Sequence, residues 1–303
     1  MTAKTCPITG GAGTLLRRRH HDELIASYFS YLGKSPPLAL LRKYLTEPIE
    51  EYYCSGSGVR WYSPMTLGEA DYYSALAETY SWYYNSDSWD KKLALKLLDA
   101  LRPENVLEVG CGDGAFLELL QRRGIRAAGV DLNQKAVMRA NSRGLTAATP
   151  DQANIIAANV DALCLLQTIE HSPDPSAMLR WYITKHQPTH ILLSAPCFDG
   201  LLGRTRDPLS WPPHHATAWS CKGMHTLGAL LGYKVAEVYY SPLCYGEFEQ
   251  CLKMEGSRRL FGLPTMPKGV VGEHVFRICS LLGLHWALRG HSILVRLEKR
   301  SPV

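Results

Sequence analysis

The stretch Asn105-Val-Leu-Glu-Val-Gly-Cys-Gly-Asp-Gly-Ala-Phe116, followed by Gly129-Val-Asp-Leu-Asn133, constrains this chain more than any other part of it. Val106, Leu107 and Val109 suit a strand buried on both faces, and Ala115 to Leu120 reads as a helix that begins where the glycines stop. The turn between them therefore sits at a helix N-terminus. Gly110, Gly112 and Gly114 permit backbone angles and close approaches that a side chain would block, and free amide groups there can face an anionic or polar ligand. Asp131 closes a second strand about twenty residues later, where an acceptor can hold both hydroxyls of a ribose. Strand, glycine turn, helix and carboxylate in this order describe a nucleotide pocket.

A dinucleotide site favours G-x-G-x-x-G, with the pyrophosphate resting on the helix end. This chain has G-x-G-x-G instead, and an acid, Glu108, stands two residues ahead of the first glycine. A carboxylate there repels a pyrophosphate but suits a ligand that carries an ammonium and a sulfonium. Leu107-Glu-Val-Gly-Cys-Gly-Asp-Gly114 and Gly129-Val-Asp-Leu132 resemble the first two motifs of class I S-adenosylmethionine-dependent methyltransferases. The resemblance implies that Gly110, Cys111, Gly112 and Gly114 contact the methionine and ribose portions of the cofactor. It also implies that Glu108 orients the amino end, Asp131 holds the ribose hydroxyls and Leu132 packs on the adenine.

At 303 residues with 46% hydrophobic content, the chain can build one large domain with an appendage or two modest ones. A net charge of +5, without a long basic tract, gives no electrostatic case for a nucleic-acid binder. Arg17-Arg-Arg-His-His21 is the one basic cluster and reads as a solvated loop or helix face. No signal peptide is expected at Met1 to Pro7, and no segment has the length and apolarity of a membrane span, so a cytoplasmic location is expected. The stretch from Val275 to Leu288 comes nearest to a span but reads as an amphipathic packing helix. Nine scattered cysteines suit reduced thiols.

Residues 1–90 read as an accessory unit, with an aromatic-dense helical stretch from Tyr72 to Trp89 at its end. Cys6-Pro-Ile-Thr-Gly10 and Tyr53-Cys-Ser-Gly-Ser-Gly58 each resemble a zinc-ribbon knuckle in which the second cysteine is replaced, by Thr9 and by Ser57. Two thiols are too few for a tetrahedral structural zinc, so no metal is expected there. Residues 91–303 then form the cofactor-binding domain. A helix at Trp89 to Leu101 precedes strands at Asn105 to Val109, Ala127 to Val130, Thr146 to Ala148, Ala162 to Leu166 and His190 to Ser194. The helices between them fall at Ala115 to Arg123, Gln134 to Ser142 and Pro175 to His186. Such alternation means a parallel α/β sheet with right-handed crossovers. Strands at Tyr233 to Tyr239 and Ser292 to Leu297 complete what the resemblance implies: a Rossmann-like, seven-stranded, mostly parallel sheet with the last strand antiparallel. A helical insertion is expected around 241–289.

The ligand of an open α/β sheet lies outside the carboxyl ends of its strands. After the fourth strand, Leu166-Gln-Thr-Ile-Glu-His-Ser-Pro-Asp-Pro175 resembles the Q-x-x-E-H-x-x-D-P segment of small-molecule methyltransferases, which would put Gln167 beside the methionine part and Glu170 and His171 in the loop roofing the methyl group. Glu170 and His171 can equally cap the next helix or bind loop backbone. After the fifth strand, Pro212-Pro-His-His-Ala-Thr-Ala-Trp-Ser220 resembles the P-P-H-H-x-T-x-W-S signature of the same bacterial subgroup. His171, His214 and His215 are candidates to deprotonate an acceptor, a role worth about a hundredfold to ten-thousandfold. A ring hydrogen-bonded to the loop is the competing role for one of the pair. No metal is expected, because adjacent rings rarely converge and no carboxylate stands at a helpful spacing. The aromatics at 72, 73, 80, 82, 83, 84 and 89 form either core packing or a lid over the cofactor.

Methyl transfer from a sulfonium is an in-line displacement, for which the protein supplies alignment and exclusion of water. The acceptor implied by the resemblance is a small molecule, a sugar, glycolipid or secondary metabolite, with O-methylation ahead of C- or N-methylation. A cofactor-binding scaffold without transferase activity is the alternative, and an NAD-dependent oxidoreductase is disfavoured by Glu108. The oligomeric state is open.

Overall fold

The computed structural model describes residues 4–81, 83, 87–155, 159–200, 207–243, 248, 274, 276–278, 281 and 289–300. The chain begins with β1 (Thr14–Arg19), α1 (His21–Leu32), α2 (Leu38–Tyr44), β2 (Ile49–Cys54), β3 (Val59–Ser63) and α3 (Ala70–Thr79). After α4 (Trp89–Leu101), strands and helices alternate through β4 (Asn105–Val109), α5 (Ala115–Arg122), β5 (Arg126–Val130), α6 (Gln134–Ser142), β6 (Ala147–Ala148), β7 (Ala162–Leu166), α7 (Pro175–His186) and β8 (His190–Pro196). The remaining elements are β9 (Thr217–Ala218), α8 (Cys221–Leu230), β10 (Tyr233–Tyr240) and β11 (Ser292–Lys299).

Seven strands form one sheet in the order β10-β11-β8-β7-β4-β5-β6. The β4–β5, β4–β7, β5–β6 and β7–β8 pairings are parallel, and β11 runs antiparallel to both β8 and β10. This is the Rossmann-like, seven-stranded, mostly parallel sheet expected from the sequence. All five residues of β7 are buried, as a central parallel strand covered on both faces requires. The helix starts are fixed locally: the Asn133 side chain caps α6 and Asp174 caps α7 ahead of Pro175. From β4 the chain adds strands outward in one direction, and from β7 in the other. The reversal point therefore lies between β4 and β7, and the turns that follow them, at Gly110 and Gln167, flank the crevice where a ligand binds.

A second sheet, antiparallel throughout, has the order β1-β2-β3-β9. Its last strand comes from the loop after β8, pairing Arg60 with Ala218 and Trp61 with Thr217. The arginines of the basic cluster are on neither a loop nor a helix face, since Arg17, Arg18 and Arg19 lie in β1, whereas His20 precedes α1 and His21 begins it. Glu51 on the neighbouring strand is 1% exposed and accepts from Arg17 Nε (2.5 Å) and Arg60 Nη1 (3.4 Å), while Arg17 and Arg19 also cover the Trp211 ring. A buried carboxylate and an aromatic face thus draw Arg17 and Arg19 inward, while Arg18 stays exposed.

The aromatic-dense stretch is not one helix. α3 ends at Thr79, and Tyr80 turns extended (φ −120°, ψ 107°) so that its buried ring can donate from the hydroxyl to Lys34 O at 2.8 Å. Tyr72 is buried and its hydroxyl bonds that of Tyr28 at 2.8 Å, which makes it core. Trp82 and Tyr84 lie outside the described residues, as do most of the insertion expected around 241–289 and of the helix expected at 275–288.

Candidate functional site

The glycine turn is shaped by contacts that exclude side chains. Gly110 has φ +79°, and a Cβ on it would overlap the Thr168 side chain; Gly114 has φ +86°, and a Cβ there would lie 2.6 Å from Leu145 Cδ1. Asp131 clamps the turn, its Oδ2 accepting from Gly112 N (2.8 Å) and its Oδ1 from Asn133 N (2.7 Å). Each carboxylate oxygen keeps acceptor capacity beyond that one bond. Burial raises the Asp131 pKa against the pull of those two amides. Leu132, 79% exposed, stands beside it as a bare apolar surface. Cys111 is buried with its thiol against Gly129, and burial pushes that thiol up and keeps it protonated. It serves the turn by packing.

Glu108 is buried beneath the turn, and among the described residues its Oε2 has no hydrogen-bond partner. Burial raises its pKa to about 8, with Asp131, Asp90 and Asp113 adding to the rise and Lys91 opposing it. A buried carboxyl without a partner fits a ligand that brings a cation to it.

Gln167 follows β7 at φ +54°, a conformation that a network holds in place. Its backbone N donates to Ser194 O (3.0 Å) and to Ser194 Oγ (3.1 Å), and its Nε2 donates to Ser194 Oγ and Ser292 Oγ, both at 3.3 Å. Ser194 Oγ in turn donates to Asp90 Oδ2 at 2.7 Å. Asp90, buried at the start of α4, has no sequence signal beyond its place in a first helical turn, because its partner is 104 residues away.

The loops after β7 and β8 bring His171, His214 and His215 together. Ring centroids are 4.8 Å apart for 171 and 214, 4.9 Å for 171 and 215, and 4.4 Å for the stacked pair 214 and 215. His171 Nδ1 donates to His214 O at 2.7 Å and His214 Nδ1 to Leu209 O at 2.9 Å, since a carbonyl can only accept. The loop-bonding role and the cavity-facing role therefore coexist in one ring. Tyrosines reach in from the N-terminal half, Tyr73 to His171 Nδ1 (3.3 Å) and Tyr83 to His214 Nε2 (3.1 Å). Helix capping falls to Asp174, not to Glu170 or His171. A carboxylate does stand at a helpful spacing: Glu170 Oε1 is 3.9 Å from His171 Nε2 and 4.0 Å from His215 Nε2. The sequence spacing hid this, because Glu170 and His215 meet only once two loops have folded over the sheet edge. Burial lowers His171 to about 4 and His214 to about 3, holds His215 well below its ordinary value, and raises Glu170 to about 8. All three rings are neutral at pH 7.

One cavity of about 1050 Å³ joins these groups, running from Glu108, Gly110, Gly112, Asp131 and Leu132 past Gln167 to Glu170 and the three histidines. The cradle, the ribose-type acceptor, the bare Leu132 and the unpartnered Glu108 suit S-adenosylmethionine at one end. The other end has room for a second molecule.

Residues 81–221 match the family described as "Methyltransferase domain". Curated relatives include ubiquinone biosynthesis O-methyltransferases from Paracidovorax citrulli, 32% identical over 101 residues (29% of this chain, 42% of the relative), and from Ralstonia nicotianae, 27% identical over 157 residues (44% and 63%). The chain thus spans about half the length of the curated relatives it matches. Among solved structures, a SAM-dependent methyltransferase from Archaeoglobus fulgidus is 19% identical, with 69% of this chain and 94% of that one covered, at a TM-score of 0.48.

Proposed function

We propose, on the match of residues 81–221 to the family described as "Methyltransferase domain", that the chain transfers a methyl group from S-adenosylmethionine to an oxygen of a small-molecule acceptor. The observation that carries this reading is the single cavity shared by the glycine turn and the histidine cluster. S-adenosylmethionine, when bound, supplies an activated methyl group on a sulfonium. The glycine turn would present backbone amides to it, Glu108 would take its ammonium, Asp131 its ribose hydroxyls, Leu132 its adenine face, and Gln167 would lie along its methionine portion. The histidine cluster, behind Tyr73 and Tyr83, would handle the proton of the acceptor hydroxyl. Oxygen as acceptor atom is supported by the O-methyltransferase names of the relatives over the matched segment. Residues 1–90 are read as an accessory unit on the acceptor side, and residues 91–303 as the cofactor-binding domain.

Asp131→Asn tests the cofactor assignment, because the amide keeps an oxygen for one backbone clamp and loses the charge. We expect S-adenosylhomocysteine affinity, measured by calorimetry, to fall at least about tenfold, one to two hydrogen bonds to a charged acceptor being at stake. Unchanged affinity refutes the pocket assignment. Tritiated methyl transfer from S-adenosylmethionine into the low-molecular-weight fraction of a cell extract tests the reaction, and binding without any transfer would favour the scaffold alternative.

A further inference from the structure

Between the loops after β7 and β8 lies a buried group of one carboxyl and three imidazoles whose ligating atoms face one another. His171 Nδ1 is committed to the His214 carbonyl and His214 Nδ1 to the Leu209 carbonyl, so both rings carry their protons on Nδ1 and turn a lone pair outward at Nε2. The His171 lone pair meets Glu170 Oε1 at 3.9 Å, and His215 Nε2 meets the same oxygen at 4.0 Å. Glu170 is 1% exposed, and among the described residues neither of its carboxylate oxygens has a hydrogen-bond partner. One nitrogen from each of His171, His214 and His215 lies within 4.8 Å of the other two. A single cation placed among these atoms would accept an electron pair from each of them.

We propose that Glu170, His171 and His215 bind a divalent transition-metal ion, with the acceptor hydroxyl as a further ligand. The proposal rests on the methyltransferase reading for what the ion does, and on geometry alone for where it binds. Donors about 2.0 to 2.2 Å from a metal stand roughly 3 to 3.5 Å from one another, so the separations of 3.9 and 4.0 Å from Glu170 Oε1 close with shifts of less than an ångström, and the ring nitrogens, within 4.8 Å of one another, approach by up to about 1.5 Å. The Nδ1-to-carbonyl bonds are the outer-shell support that fixes the tautomer and aim of a ligating imidazole. Two imidazoles and one carboxylate suit zinc, manganese, iron or cobalt, and leave coordination positions open on the cavity side. His214, whose Nε2 accepts from Tyr83, backs the site as an alternative nitrogen. A hydroxyl bound to such an ion loses its proton to solvent more readily. Its oxygen then attacks the methyl carbon, and the carbon–sulfur bonding pair stays on sulfur, leaving neutral S-adenosylhomocysteine. The acceptor class follows: a hydroxyl flanked by a second oxygen that can chelate, as in a catechol, a vicinal diol or a hydroxy acid.

The test is cobalt(II) titration of the chelator-treated full chain, read by visible d–d absorption and by equilibrium dialysis. One cobalt per chain, displaced by zinc, is expected, with affinity reduced at least about tenfold in Glu170→Gln and in His171→Ala. Absent d–d bands, or bands that both variants leave unchanged, overturn the proposal; the second result would place the ion elsewhere, such as the exposed group His20, His21 and Asp22. If Glu170→Gln fails to fold, the cobalt stoichiometry of the wild type and the His171→Ala affinity decide. S-adenosylhomocysteine binding to the metal-free chain is measured in parallel. Its retention with no cobalt bound sinks only the metal site, whereas its loss sinks the methyltransferase reading.

Discussion

At the scale of single residues, Glu108 carries a testable charge state. Burial holds its carboxyl at about 8, so at pH 7 it is about nine-tenths protonated in the free chain. An ammonium beside it stabilises the carboxylate, so cofactor binding expels the proton. Calorimetry of S-adenosylhomocysteine binding at pH 7 in buffers of different ionisation enthalpy is therefore expected to show close to one proton released per ligand. Affinity rises with pH, by up to about tenfold per unit, and levels off above about 8. In Glu108→Gln both the release and the slope vanish; equal proton release in the two proteins would overturn the assignment. The sign for stability is opposite. A carboxyl whose folded value is raised contributes stability that is fully present below 4.5 and lost as pH climbs through about 8, so the free chain is expected to melt lower at pH 8.5 than at pH 6. Residues of this kind were legible in the sequence because backbone geometry demands them: Gly110, Gly114 and Asp131 act within one strand–turn–helix unit. Asp90 was not, and Tyr73 and Tyr83 were legible only as members of an aromatic stretch, without their partners. Their partners Ser194, His171 and His214 lie 104, 98 and 131 residues away, and nothing local marks the pairing.

Among elements, those whose signals are local were read at their observed bounds. β7, α6 and α7 coincide with the expected spans, and the structure adds the caps at Asn133 and Asp174 that fix the two helix starts. β1 was misread because a run of arginines looks solvated until the buried Glu51 of β2 is known, 34 residues on. The two N-terminal turns are a stronger case of convergence. Cys6 Sγ lies 3.3 Å from Ser57 Oγ, and Thr9 Oγ1 lies 3.8 Å from Cys54 Sγ. Amides of Ile8 and Ser57 donate to the two sulfurs, each at 3.4 Å. Burial alone would raise Cys54, but hydrogen bonds from Ser57 and Thr9 bring its thiol down to about 7. Sulfurs bound to one zinc at about 2.3 Å are about 3.8 Å apart, close to the Cys6–Ser57 and Thr9–Cys54 separations. The double variant T9C/S57C is accordingly expected to retain one zinc per chain beyond any held by the wild type, and to melt at least about 5 °C higher in zinc. Failure to hold that extra zinc after dialysis would show that the turns only resemble a metal shell.

For the molecule as a whole, the segment with the family match is not a self-sufficient unit. The loop after β8 leaves the large sheet to add β9 to the small one, and then returns through α8. Along this excursion Leu209 and Trp211 enter a core built otherwise from the first part of the chain, with Leu24, Tyr28, Leu41, Tyr72 and Leu76. The Tyr62 hydroxyl donates to Ser210 O, and Ser220 Oγ donates to Gly58 O, both at 2.5 Å. The same loop carries His214 and His215, so the histidine end of the cavity takes its shape from the first part of the chain. A fragment covering residues 88–303 would expose Trp211 and Leu209, at about 1.5 to 3 kcal/mol each, and would leave His214 without Tyr83. We expect the full chain to unfold in one cooperative thermal transition. The fragment should either lack a cooperative transition or melt at least about 10 °C lower, since a loss of about 5 kcal/mol shifts a domain of this size by that much. A fragment that melts with the full chain and binds S-adenosylhomocysteine equally well would show that the small sheet is an attachment, and that the loop after β8 holds its histidines in place by itself.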